Sequence, residues 1–286
     1  MASLAMVVVG TVIPIALGVP FSVSADDGLL ALGVAAPILG LILVVRAGEI
    51  RMGAVLLAMG LGLGLASLGA GIPTTPEYLE WLPLIPFTFA GWMLFLGLTV
   101  AVLPLLFPTG RPLTPRWQPV LRSLLVLLPL VCLMAVFSEN VTLFCSDVYA
   151  DDTPCSVWEA AEAPIAIERC EEVTGPLGAG TQCEVHLDNP IGIAGVPAPE
   201  SGLLGLITYG ALLGLSVLSF VSLVLRFRRA GTQERQQIKL VMFVLGVFVG
   251  SSLVEAVIVE YMGGSFPAME YIDFLMWVAI PVSMFL

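Results

Sequence analysis

Charge is scarce in this chain. Asp, Glu, Lys and Arg make up 12% of its 286 residues, about half the share of a soluble domain. Bases are scarcer still, eleven against 22 acids. They form no face that could follow a phosphate backbone, which argues against a nucleic-acid partner. Histidine is nearly missing, with His186 the single copy. No HExxH helix, GxSxG elbow or P-loop occurs, so the common protease, hydrolase and nucleotide sites are unreadable here. The apolar runs hold no carboxylate or His clusters of the kind a membrane-embedded di-metal enzyme needs. They also lack the polar lining of a channel and the paired, interrupted spans of a transporter. No catalytic residue, metal set or cofactor is assigned, and the chain as given reads as a non-enzyme.

What is abundant is apolar: 58% of residues, with mean hydropathy +1.01. Several runs approach or exceed the roughly 20 apolar residues that cross a bilayer core. They do not alternate as barrel strands would. The expected fold is all-α, a polytopic transmembrane helical bundle of about eight spans with a disulfide-stapled extracytoplasmic loop. Spans one to five fall in 1–137, the loop in 138–200, and spans six to eight in 201–286. The individual spans read as about 4–24, 29–45, 53–72, 81–106, 119–137, 201–225, 240–259 and 271–286. The first lacks a basic leader and reads as a retained span, with a cleaved signal peptide as the alternative. The last is short and reads as truncated. Gly60 and Gly64, Gly210 and Gly214, and Gly246 and Gly250 have the GxxxG spacing that lets helices approach closely.

Sidedness follows from Arg226 to Lys239, a short loop carrying Arg226, Arg228, Arg229, Arg235 and Lys239 between two apolar runs. Basic loops stay on the cytoplasmic side. Ten of the eleven bases then fall inside and only Arg169 outside. Both termini are expected in the cytoplasm and the chain in the cell membrane, with the bilayer as its first partner.

The 138–200 segment holds twelve acids and one base. It also holds Cys145, Cys155, Cys170 and Cys183, whereas Cys132 lies in a span. An even number in an exported segment implies two disulfides, and the spacing leaves all three pairings open. No C-x2-C knuckle occurs, so a metal site using His186 is the weaker reading. Trp158 and His186 are candidates for contact with an extracytoplasmic ligand. Glu255, the one clear acid within a span, is a candidate ligand or proton sensor, because a carboxylate at depth tends to face the bundle interior or water.

Three motifs add a resemblance. Phe107-Pro108-Thr109-Gly110-Arg111-Pro112 is followed by Arg116-Trp117. Asn189-Pro190-Ile191-Gly192 stands before a span. Arg226-Phe227-Arg228-Arg229-Ala230-Gly231 leads into Glu234-Arg235-Gln236-Gln237-Ile238-Lys239. In this order, over roughly residues 90–286, they resemble the N-terminal membrane sensor region of actinobacterial-type sensor histidine kinases. The resemblance implies signal transduction in a two-component system, with a phosphoacceptor helix and an ATP-binding domain beyond the last span. Neither is present in these residues. It casts Arg226, Arg228, Arg229, Glu234, Arg235, Lys239 and Arg111 as coupling or lipid-contact residues. A second copy of the chain becomes a candidate partner. The alternative is a standalone integral membrane protein, accessory or transport-related.

Overall fold

The computed structural model describes residues 12, 27–47, 50–70, 76–146, 155–156, 166–175, 178–199, 201–232, 234–243 and 246. The expected span 4–24 (save residue 12), the seventh span beyond residue 243 (save 246) and the eighth run lie outside the described residues, as do Glu255 and Trp158.

Helix α1 (Asp27–Ile42) runs into a π turn at Leu43–Ala47, and α2 spans Ile50–Ala70. A 3-10 stretch, Pro76–Leu84, leads into α3 (Ile85–Gly97). Pro86 sits in the first turn of α3, where its missing N–H leaves no gap. The chain continues helically through a π turn at Leu98–Val102 to Leu103–Leu106. Helix α4 (Gln118–Phe137) follows the turn, with Pro119 at its start. Helix α5 covers Gly202–Arg229. Residues 234–243 are again helical.

Four of these segments are long and apolar enough to cross a membrane: Ile50–Leu68, Leu79–Leu106, Pro115–Phe137 and Leu203–Arg229. They match expected spans three to six. Gly33–Val45, from the second expected span, is shorter. One boundary moves. The sixth span was expected to stop near residue 225, but α5 runs to Arg229, so Arg226, Arg228 and Arg229 form its last turn. Cations there face the negative end of the helix dipole, which explains why the helix carries on through them.

Packing between the first helices depends on small residues that let backbones approach closely. A Cβ on Gly53 would stand 2.7 Å from the Gly40 carbonyl of α1, and one on Gly60 would stand 2.5 Å from the Pro37 ring. Gly62 and Gly91 set α2 against α3 in the same way. The core between the helices includes Met59, Phe95, Leu103, Leu124 and Leu223, each at most 1% exposed. Ile238 and Val241 join this core from the 234–243 helix.

The loop departs from the all-α expectation. Strands β1 (Asn140–Ser146), β2 (Ala166–Gly175) and β3 (Gly178–Asp188) form an antiparallel sheet in the order β1-β3-β2. The physical reason is alternation. Val141, Leu143 and Cys145 on β1 and Cys183, Val185 and Leu187 on β3 all turn to one face. That face packs on Leu82 and Ile85, at the end of the bundle opposite the arginines. Both expected disulfides are present, Cys145–Cys155 and Cys170–Cys183, and Cys132 is free.

Candidate coupling site at the basic end of the bundle

The 85–106 helix ends at Leu106, and its last carbonyls have no helical partner of their own. The FPTGR stretch turns the chain sharply there. Phe107–Pro108 is a cis peptide, and Gly110 adopts φ 68°, a left-handed conformation that glycine takes without strain. The Gly110 N–H donates to the Leu106 carbonyl at 2.8 Å.

Arg226 completes this turn from the far end of α5. Its Nη1 donates to the carbonyls of Leu106 (3.3 Å) and Phe107 and to the Thr109 hydroxyl (3.1 Å). Its Nη2 donates to the Arg111 carbonyl. The residue is only 6% exposed. A buried cation is costly unless paired and hydrogen-bonded. Here the converging carbonyls, at the negative end of a helix, supply that compensation. A guanidinium suits the task because its planar fork directs several donors at once. Sequence reading treated the FPTGR and RFRR motifs as separate loops. The structure joins them through one side chain.

The next residue extends the link. Phe227 packs against the core, and the Arg235 guanidinium lies 5.5 Å over its ring, within cation–π range. The Ala230 N–H closes on the Arg226 carbonyl and the Arg235 N–H on that of Gly231, both at 2.9 Å. These bonds reverse the chain so that Ile238 and Val241 return to the core. The remaining candidates point outward. Arg228, Arg229, Glu234 and Lys239 are exposed. Arg111 is exposed too, and it contributes its carbonyl rather than its charge.

The third motif does parallel work at the opposite end. Asn189, 7% exposed, donates from Nδ2 to the carbonyls of Val136 (2.9 Å) and Ser138 (2.7 Å). Its Oδ1 accepts from the Ile191 N–H at 3.2 Å. The end of α4 is thus capped by a residue about fifty positions downstream. Gly192 is needed for the fit, since a Cβ there would fall 2.5 Å from the Ser138 carbonyl. Neither Asn189 nor Thr109 was singled out as a site residue, although both stood inside quoted motifs.

The loop candidates divide. His186 lies on the polar face of β3, with Nε2 3.5 Å from Glu184 Oε2 and Nδ1 3.3 Å from the Thr142 hydroxyl. The sulfurs of Cys145, Cys155 and Cys183 are buried within 4.8 Å of one another. As disulfides they hold no thiolate, the form that binds a metal. His186 belongs to the other face of the sheet and does not join them.

No family model, curated protein or solved structure matches this chain. Its functional reading therefore rests on the geometry above and on the motifs.

Proposed function

We propose that this chain is the membrane sensory domain of a two-component sensor histidine kinase. In this reading about eight helices cross the cell membrane. The stapled sheet faces outward, the basic turns and both termini face the cytoplasm, and the catalytic kinase half is supplied beyond residue 286. The supporting observation is the Arg226 clamp. It joins two of the three motifs that carry the resemblance, at the end from which a signal would leave. A clamp of this kind couples α5 to the 85–106 helix, so displacement of either reaches the 234–243 segment. A ligand that favours one arrangement of the bundle would shift that equilibrium.

The test is the gene and then the kinase. The reading frame after the Leu286 codon should encode a helix with a phosphoacceptor His and an ATP-binding domain; a stop codon there overturns the proposal. In the full-length kinase, Arg226→Gln should change basal autophosphorylation severalfold without removing the protein from the membrane. An unchanged rate would leave the clamp structural. That outcome favours the second reading, a standalone integral membrane protein, which fits the fact that both clamps cap helix ends within the chain itself.

A further inference from the structure

Two clefts lie in line along helices α4 and α5, and we read them together as one groove. Its upper part is a cleft of about 780 Å³ lined by residues that include Arg122, Val126, Leu130, Ala211, Gly214 and Leu218. Its lower part, about 580 Å³, includes Thr114, Arg116, Trp117, Val120, Leu225 and Arg229. Rising numbers on α4 meet falling numbers on α5, so the two clefts follow one another along an antiparallel pair. Both are open along the outer surface rather than enclosed. The floor is low where Gly214 lines the upper cleft, and neither Gly214 nor Gly210 has anything within 4 Å of where a Cβ would stand. Their GxxxG spacing seats no other helix among the described residues; it leaves a trough.

Charge decides what fits. Arg116, Arg122 and Arg229 are exposed, and no carboxylate pairs with them among the described residues. Trp117 is half-buried beside them, and indole rings favour the headgroup level of a bilayer. The groove is therefore apolar along its length and cationic toward one end. A second copy of the chain would bring the same arginines to the same place and meet like charge. An anionic phospholipid is complementary at both ends.

We propose that the α4–α5 groove binds one anionic phospholipid. Its phosphate lies between Arg116 and Arg229, and an acyl chain runs past Arg122 over Gly214 and Ala211. This rests on the membrane reading and adds to it a specific lipid seat.

The experiment is native mass spectrometry of the full chain released from bilayers of equimolar dioleoylphosphatidylglycerol and dioleoylphosphatidylcholine. The expected result is a retained phosphatidylglycerol adduct in about 25-fold excess, on the order expected from two interfacial bases at about fivefold each. Arg116→Gln with Arg229→Gln should lower that preference by about fivefold per arginine. Gly214→Leu should reduce retention of both lipids, and its open surroundings allow the larger side chain without disturbing the fold, as circular dichroism would show. Equal retention of the two lipids overturns the proposal. So does an unchanged preference in the double variant, or a dimer that sheds lipid as it forms. Vesicle flotation of the same preparation separates the two levels. A chain that does not float removes the membrane reading, whereas one that floats without lipid preference removes only the groove.

Discussion

The guanidinium at position 226 satisfies acceptors on four residues of one turn. Removing it strips the Phe107 carbonyl of its guanidinium donor, while the Leu106 carbonyl keeps the Gly110 N–H; a buried acceptor left unsatisfied costs about 1–3 kcal/mol. Arg226→Gln should therefore lower the unfolding free energy by about 2–4 kcal/mol, read as a loss of thermal midpoint in mild detergent. Arg226→Lys should recover only part of this, because an ammonium cannot reproduce the fork. A full recovery would mean that charge alone matters. Asn189→Ala should cost about 1–3 kcal/mol through the α4 end it caps, and Asn189→Asp should not restore it, since the carboxylate cannot donate to Val136 and Ser138. The sequence showed these residues as short motifs. It could not show that residues 226 and 107, or 189 and 136, meet, because such contacts are set by how whole helices pack.

Elements were more legible than contacts. The segments at 50–70, 79–106, 118–137 and 202–229 stand out because each presents a continuous apolar run of membrane-crossing length. The end of α5 was misplaced because Arg226 reads as a loop residue by hydropathy, yet it is held at a helix end by backbone carbonyls. The sheet was missed for a related reason. The six residues of its inner face are spread across β1 and β3, separated by dozens of residues in the chain. Four cysteines announced two disulfides but not their pairing: Cys183 stands opposite Cys145 across the strands yet bonds Cys170 from β2. Thiol labelling of the denatured, unreduced chain should modify Cys132 and leave the other four blocked. Reaction of the loop cysteines would contradict both bonds. Losing either bond should cost about 2–4 kcal/mol, typical of small closed loops.

The whole molecule has two unlike ends. One gathers arginines around the 107–111 turn, and the other carries the sheet on Leu82 and Ile85. If the positive-inside bias governs insertion, a reporter fused after Lys239 should read cytoplasmic and one near Asp188 extracytoplasmic. The opposite pattern would invert the proposed orientation. The two ends also differ in how the chain enters and leaves them. Asn140 begins β1 and lies directly opposite Asp188, where β3 finishes, and Asn189 ties that point to α4. The excursion of nearly fifty residues thus departs and returns through a single doorway. It can be exchanged as a cartridge: an epitope, a fluorescent protein or a foreign binding module with adjacent termini could replace residues 141–187 while α4 and α5 keep their spacing.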